Sequence, residues 1–253
     1  ALSSAASDVY KRQEKIKQLQ QWVDQSDRIV FFGGAGVSTE SGIPDFRSQD
    51  GLYHQQYDVP PETILSHTYF ERHTAEFYRF YRNKMICLTA KPNAAHKKLA
   101  ELEQAGKLLA VVTQNIDGLH QLAGSRSVLE LHGSVHRNIC QVCGAVYDAE
   151  WIMMTTGVPH CDKCGGRVKP DVVLYEESLP EDTLTRSVNA IANADLLLVG
   201  GTSLTVYPAA GLLQYFEGDA LVLINKGATP MDKNADLLIQ QPIGQVLGSI
   251  KVR

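Results

Sequence analysis

The most constraining feature of the sequence is a short apolar run that ends directly in a glycine turn. Residues 28–32 (RIVFF) predict a buried strand, residues 33–36 (GGAG) follow it, and residues 38–40 (STE) predict a helix start. This succession is typical of the first βαβ unit of a dinucleotide-binding fold. Thr39 replaces the third glycine of the usual pattern, and no acidic strand end follows about 20 residues later. The turn therefore indicates a nucleotide, but not hydride transfer.

Further apolar strands alternate with helices along the chain. Strands are predicted at residues 108–113, 195–200, 220–225 and 236–239, and helices at residues 14–25, 93–104, 181–193 and 208–216. Such alternation predicts an α/β fold, in which a Rossmann-like parallel sheet has helices on both faces. Ligands of these folds bind outside the carboxyl ends of the strands.

Two segments interrupt the alternation, and we expect them to build a smaller lobe. Residues 49–91 are aromatic and predict a helical insertion, whereas residues 137–169 contain four cysteines and predict a zinc-ribbon module. The Rossmann-like domain then comprises residues 14–48, 92–136 and 170–253. The first 13 residues (ALSSAASDVYKRQ) lack the basic start and apolar core of a secretory signal. They are similar to translated adapter sequence, so we expect residues 1–13 to be a non-native leader.

Charge and hydropathy exclude two classes of partner. The net charge is -4 and the pI is near 6.1, without a run of basic residues, which argues against binding to nucleic acid. The apolar runs are far shorter than the roughly 20 residues of a membrane-spanning helix. We therefore expect a cytoplasmic protein with no nucleic-acid or membrane partner, and we expect a monomer because no exposed apolar patch is visible in the sequence.

Four of the five cysteines have the spacing of a metal site. Cys140, Cys143, Cys161 and Cys164 form two C-x-x-C pairs separated by a spacing typical of zinc ribbons. Four thiolates make a closed tetrahedral site, so we assign the zinc a structural role and no catalytic one. A pair of redox-active C-x-x-C motifs is the alternative. Cys87 stands alone and is predicted to be buried, as free cysteines commonly are.

Four segments show that the chain resembles the sirtuins, the NAD-dependent protein lysine deacetylases, and in particular those of bacterial type. The segments are residues 34–47 (GAGVSTESGIPDFR), 113–120 (TQNIDGLH), 131–133 (LHG) and 200–210 (GGTSLTVYPAA). They occur in the family's order, with the cysteine pairs between the last two. The resemblance covers residues 14–253.

The resemblance implies an activity. Sirtuins consume NAD to remove acetyl or similar short acyl groups from protein lysines, giving nicotinamide, acyl-ADP-ribose and free lysine. His132 matches the general base, and imidazole suits this task because it titrates near neutrality. Asn115 matches the second catalytic residue. His120 has no such support and is assigned to structure.

The resemblance also implies the NAD contacts. Gln114 and Asn115 should meet the ribose, Ile116 and Asp117 the nicotinamide carboxamide, and Phe46 and Arg47 the reactive ribose face and a phosphate. The remaining expected contacts are Ala35, Gly36, Thr39, His132, Gly201, Thr202, Ser203, Asn225, Lys226 and Ile243.

An acylated-lysine peptide is expected to bind as an added strand between residues 173–175 and 204–207, with contacts from Val173, Leu174, Tyr175 and Val206. Where the family pattern has Phe-Gly-Glu, we match Leu174, Tyr175 and Glu176, which puts Tyr175 in the place of glycine. Sirtuins that remove acidic acyl groups have a Tyr-x-x-Arg pair. Here Lys84 follows Tyr81 instead, which disfavours succinyl and malonyl groups.

Two other functions remain open from the sequence. A mono-ADP-ribosyltransferase on the same fold would use NAD but would not need His132 as a base. A nucleotide-sensing zinc-ribbon module without turnover is the non-enzymatic alternative.

Overall fold

The computed structural model describes residues 2–47, 50–55 and 57–253. Its strands are β1 (Ile29–Gly33), β2 (Leu108–Thr113), β3 (Val128–Glu130), β4 (Gly133–Cys140), β5 (Val146–Tyr147), β6 (Val168–Val172), β7 (Leu196–Gly200), β8 (Ala220–Ile224) and β9 (Leu237–Ile239). Its α-helices are α1 (Leu2–Gln25), α2 (Pro61–Ile64), α3 (His67–Arg72), α4 (Thr74–Phe80), α5 (Ala94–Gln104), α6 (Leu119–Leu122), α7 (Ala149–Met154), α8 (Glu181–Asn193) and α9 (Ile243–Ser249).

Six parallel strands form the main sheet in the order β3-β2-β1-β7-β8-β9. Successive side chains of a strand point to opposite faces, and both faces of this sheet are buried. Phe31 and Leu198 pack with α1, α5 and α9 on one face, and Phe32 and Val199 pack with α8 on the other. The predicted α/β fold, with helices on both faces of a parallel sheet, is confirmed.

A second sheet of three antiparallel strands, in the order β5-β4-β6, lies outside the main one. It shares a hydrophobic cluster with the helices of the aromatic segment, because Phe70 and Phe77 pack with Val135 and Val168. Two segments far apart in sequence thus share one core. The exact limits that we assign to the two insertions stay a prediction.

Several local expectations were wrong. Helix α1 begins at Leu2 rather than Glu14, since no Gly or Pro interrupts this stretch. Residues 38–40 do not start an α-helix. Two short 3-10 helices, Ala35–Val37 and Thr39–Ser41, follow β1, and a 3-10 helix, Ala209–Tyr215, replaces the α-helix expected near residues 208–216. Cys87 is exposed, in the connection before α5. Among the helices of the described residues, none has the length and apolar character needed to cross a membrane.

Candidate active site

The turns that follow β1, β2 and β7 touch one another at the carboxyl edge of the main sheet. The amide of Gln114 donates to the carbonyl of Gly33 (2.9 Å), and the amide of Gly36 donates to the carbonyl of Gly201 (2.8 Å). A Cβ on Gly36 would lie 2.8 Å from the Gly201 Cα, and Gly201 itself has a φ of 59°. Both positions therefore require glycine. Ala35, Gly36 and Gly201 meet at the edge where parallel sheets bind ligands.

A polar network centred on Ser38 lies beneath this edge. The Ser38 hydroxyl donates to Oδ2 of Asp117 (2.6 Å) and accepts from Nδ2 of Asn115 (3.3 Å). Ser38 is 1% and Asn115 8% exposed, so the hydrogen bonds replace lost contacts with water. The other Asp117 oxygen, Oδ1, accepts from the amide of Leu119 (2.9 Å) and closes the turn. Asp117 therefore caps its own turn with one carboxylate oxygen and joins the Ser38 network with the other.

His96 belongs to the same network, although the sequence assigned it no role. Asn93 caps helix α5, and its amide donates to Nδ1 of His96 (3.1 Å). This bond leaves the proton on Nε2, which faces the Ser38 hydroxyl at 3.5 Å. Ser38 and His96 are the two site residues that sequence reasoning missed. The sequence signal that could have revealed His96 is the capping box at the start of α5, to which it belongs.

His120 packs edge-on against His96 with ring centroids 4.8 Å apart, and is 1% exposed. Burial lowers the pKa of His120 to about 3, and burial, opposed by Asp117, lowers the pKa of His96 to about 4. Both rings are therefore neutral at neutral pH. The burial of His120 agrees with a structural role for this residue.

His132 lies in the turn between β3 and β4. Its Nδ1 donates to the carbonyl of Gln114 (3.0 Å), which leaves Nε2 as the basic nitrogen. Burial lowers the pKa of His132, and the bond to Gln114 opposes this effect. The His132 carbonyl also accepts from the amide of Val173 (3.0 Å). His132 is thus held between the end of β2 and the segment predicted to bind a peptide.

Residues 45–53 fold back on themselves beside this edge, apart from positions 48 and 49, which lie outside the described residues. The amide of Leu52 donates to the carbonyl of Asp45 and that of Tyr53 to the carbonyl of Phe46, both at 2.9 Å. The rings of Phe46 and Tyr53 have centroids 5.4 Å apart, and the Arg47 guanidinium lies 5.3 Å from the centre of the Tyr53 ring. Phe46 and Arg47 are therefore held in one turn.

The other predicted cofactor residues have varied surroundings. Thr39 donates from its hydroxyl to the carbonyl of Gly36 (3.0 Å), and Thr202 accepts at its hydroxyl from the Gln114 side chain (3.1 Å). Ile243 is 3% exposed and packs in the core against Gly200, so little of it can face a ligand. Ile116, Ser203 and Asn225 are half-buried and Lys226 is exposed; each follows the carboxyl end of β2, β7 or β8.

The predicted peptide contacts are divided between exposed and buried positions. Tyr175 is 39% exposed, and Val173 and Val206 are half-buried, whereas Leu174 is 3% exposed and packs in the cluster shared by the two insertions. The left-handed backbone conformation that favours glycine lies at Glu176, with a φ of 77°, and not at Tyr175. The match to Phe-Gly-Glu was therefore one residue too early. Tyr175 takes the place of phenylalanine, and Glu176 that of glycine.

The four paired cysteines converge in the smaller lobe. Their sulfur atoms all lie within 4.8 Å of one another, with 3.4 Å between Cys140 and Cys164 and 3.6 Å between Cys143 and Cys161. Tetrahedral zinc with bonds of about 2.3 Å separates its sulfurs by about 3.8 Å. The cluster fits a zinc ion.

The family follows from the sequence comparison. The model of the Sir2 family matches residues 34–208, which include three of the four segments on which the sirtuin resemblance was based and all but the last two residues of the fourth. The chain belongs to the Sir2 family.

Curated relatives and solved structures of this family resemble the chain over most of its length. An NAD-dependent protein deacetylase of Clostridium acetobutylicum is 60% identical over 240 residues, which is 94% of this chain and 98% of that protein. One from Staphylococcus aureus is 44% identical over 237 residues, 93% of this chain and 97% of that protein. A Sir2 structure with a deacetylated p53 peptide and 3'-O-acetyl ADP-ribose has a TM-score of 0.85 and 39% identity, covering 92% of this chain and 95% of that one. A Sir2 bound to a propionylated peptide has a TM-score of 0.82 and 39% identity, with the same coverage of both chains.

Proposed function

We propose that this Sir2 protein is an NAD-dependent protein lysine deacetylase that also accepts similar short acyl groups. It consumes NAD, the acyl-lysine and one water, and it releases nicotinamide, free lysine and acyl-ADP-ribose. The observation that supports this most directly is the position of His132. The carbonyl of Gln114 fixes its Nδ1 proton and leaves Nε2 basic, and Gln114 directly precedes Asn115, which belongs to the network of Ser38 and Asp117.

Each part of the site has a task in this proposal. Loss of nicotinamide from NAD leaves positive charge on the ribose, where the acyl oxygen of the substrate can bond. Asn115 and Asp117 orient the ribose and the carboxamide from the floor of the site, and Phe46 shields the reacting face from water. His132 accepts a proton from a ribose hydroxyl, which its neutral imidazole can do at neutral pH.

The acylated peptide is proposed to bind as an added strand between residues 173–175 and 204–207. A short, uncharged acyl group agrees with the surroundings of Lys84. Its amine donates to the side chain of Gln55 (3.1 Å) and lies 5.8 Å from the centre of the Tyr57 ring. Lys84 therefore makes these contacts within the smaller lobe. Its position has no arginine that could pair with an acidic acyl group.

The zinc ion of the four cysteines is proposed to be structural, because all of its ligand positions would be filled by sulfur. A cytoplasmic location is part of the proposal. Cysteines that remain thiolate ligands instead of forming disulfides are typical of reducing compartments.

The test is a mass-spectrometric assay of an acetyl-lysine peptide with and without NAD. We expect free lysine, nicotinamide and acetyl-ADP-ribose in equal amounts, and no reaction without NAD. ADP-ribose attached to the peptide or to the protein would instead indicate an ADP-ribosyltransferase. His132→Ala should lower the rate by about 10²- to 10⁴-fold, the usual contribution of a general base. The surface variant His73→Ala is the matched control and should keep full activity.

A further inference from the structure

Two tyrosine hydroxyls contact each other, one from the loop proposed to bind NAD and the other from a loop proposed to bind the acylated peptide. The hydroxyl of Tyr175, in the peptide loop of residues 173–177, lies 2.7 Å from the hydroxyl of Tyr53, which is 122 residues away in sequence. We call this contact the hydroxyl bridge. Phenylalanine, which stands in the family pattern at the position of Tyr175, could not form it.

The Tyr175 side of the bridge is firmly anchored. The Tyr175 amide donates to the carbonyl of Leu65, and its carbonyl accepts from the amide of His67, both at 3.0 Å. Glu176 accepts at Oε2 from the amide and the hydroxyl of Thr68, at 2.8 and 2.7 Å. These four hydrogen bonds fix the peptide loop to the start of helix α3.

The Tyr53 side leads to the residues proposed to contact NAD. The backbone amide and the ring of Tyr53 both contact Phe46, and the guanidinium of Arg47 lies over the ring. Residues 45–47 and 50–53 belong to no regular helix or strand except the short 3-10 helix that begins at Leu52. The position of this turn therefore depends on a few contacts, of which the bridge is one.

The Tyr53 hydroxyl of the bridge keeps its proton at neutral pH. Burial and the contact with the Tyr175 hydroxyl raise the pKa of Tyr53 well above its ordinary value. The strength of the hydroxyl bridge should therefore be that of one neutral hydrogen bond, and ionisation of Tyr53 should not affect it near neutral pH.

We propose that Tyr53 and Tyr175 are positioning residues whose hydroxyl bridge couples the NAD loop of residues 45–47 and 50–53 to the peptide loop, so that cofactor and acylated peptide strengthen each other's binding. The proposal rests on the proposed function. A peptide bound against the anchored Tyr175 loop holds the bridge in place and with it the turn that carries Phe46 and Arg47, and the coupling is reciprocal by thermodynamic necessity. Neither tyrosine takes part in proton transfer.

The test removes the hydroxyls one at a time. Tyr53→Phe and Tyr175→Phe keep the rings, and Tyr215→Phe is the matched control, because Tyr215 is an exposed residue at the end of the 3-10 helix that follows residues 204–207. Each single variant should raise the KM for NAD about three- to tenfold, as expected for one neutral hydrogen bond, with kcat changed less than about twofold. The affinity gain for acetyl-lysine peptide caused by ADP-ribose, measured by calorimetry, should shrink by the same factor.

The double variant Y53F/Y175F decides whether the two hydroxyls act on each other. If they form one bridge, the double variant behaves like either single variant. Additive effects of the two substitutions, or single variants that match Tyr215→Phe, would overturn the proposal.

Amide hydrogen exchange gives a readout that requires no substrate. The amides of Leu52 and Tyr53 hold the turn closed, so Tyr175→Phe should increase their exchange several-fold in the free protein, while Tyr215→Phe leaves it unchanged. Unchanged exchange in Tyr175→Phe would refute the bridge. A wild-type protein without deacetylation would refute the proposed function, and the exchange experiment would still decide on the bridge.

Discussion

Ser38 joins three side chains of the site through one hydroxyl, which accepts from Asn115, faces Nε2 of His96 and donates to Asp117. Ser38→Ala should leave these buried groups without their partner, and the cost of this corresponds to a loss of about tenfold to a hundredfold in kcat/KM. Ser187→Ala is the matched control, because Ser187 is equally buried but bonds to Thr183 within helix α8. Equal activity in the two variants would contradict a role of the network in catalysis.

The pH dependence of activity should follow His132. Burial lowers its pKa below the ordinary value near 6.5, so the base is neutral at neutral pH and becomes protonated only in more acid solution. The kcat/KM for acetyl-lysine peptide should therefore fall as the solution becomes more acid, with an apparent pKa under 6.5. Steady-state rates across this range measure it, and an acid limb centred above pH 7 would show that another group is the base.

Some site residues could be predicted from local motifs, whereas others belong to the site only because the fold brings distant segments into contact. His132, Asn115 and Asp117 lie in short segments whose order and context were recognisable, and the structure brings them to one edge of the sheet. Ser38 and Asp117 are 79 residues apart, and Ser38 and His96 are 58 apart. No pattern within either segment shows that these side chains meet, so only the packed fold reveals the network.

At the scale of elements, the fully apolar strands and β9 were predictable, whereas β3 and the strands of the second sheet were not. Strands β1, β2, β7 and β8 are apolar runs buried on both faces, which periodicity identifies well. Strand β4 has no regular alternation of buried and exposed residues, since the exposed His136 and Arg137 follow one another, and β5 has two residues. Their stability depends on pairing with β6 and on the cysteine cluster, and neither gives these segments the residue pattern of a strand.

The zinc site should hold this second sheet together. Cys140 ends β4, and Cys140 and Cys161 are buried in the cluster shared with the aromatic helices. Structural zinc contributes on the order of 10 kcal/mol to the folding of peptides. A loss of about a third of this free energy would lower the Tm of a domain of this size by about 7 to 13 °C. Cys161→Ser should show such a loss, together with a loss of bound zinc.

The exposed Cys87 provides the matched control for the metal site. Cys87→Ser should retain the zinc content, Tm and activity of the wild type. Calorimetric unfolding and metal analysis of both variants, before and after chelation, distinguish the two cysteines. A chelated protein with unchanged Tm and activity would rule out the structural role.

For the molecule as a whole, both lobes meet at the edge where the site lies. Residues 116–117 and 132–135 connect them, because the amide of Val135 donates to the carbonyl of Ile116 (3.0 Å) and Val135 belongs to the core of the smaller lobe. The active-site turns are thus also the connection between the two cores. Conditions that charge groups buried beneath this connection should destabilise the fold and the site together.

Acid should unfold the protein through its buried histidines. Burial lowers the pKa of His96 to about 4 and that of His120 to about 3, whereas both titrate near 6.5 in the unfolded chain. Between about pH 6.5 and pH 4 the unfolded state therefore binds more protons, and the free energy of unfolding falls as the pH falls, by up to about 1.4 kcal/mol per pH unit for each histidine. This stability is fully present above pH 6.5 and is lost toward acid.

His120→Leu isolates one of these contributions. Both ring nitrogens of His120 are buried without a hydrogen-bond partner among the described residues, so an apolar side chain can replace the ring without breaking a bond. Urea unfolding at about pH 7.5 and pH 5 should show that the wild type loses about 2 kcal/mol more than His120→Leu between the two conditions. The exposed His73→Gln should lose as much as the wild type. Because zinc release affects all three proteins alike, an equal loss in His120→Leu would show that His120 is not the group that acid titrates.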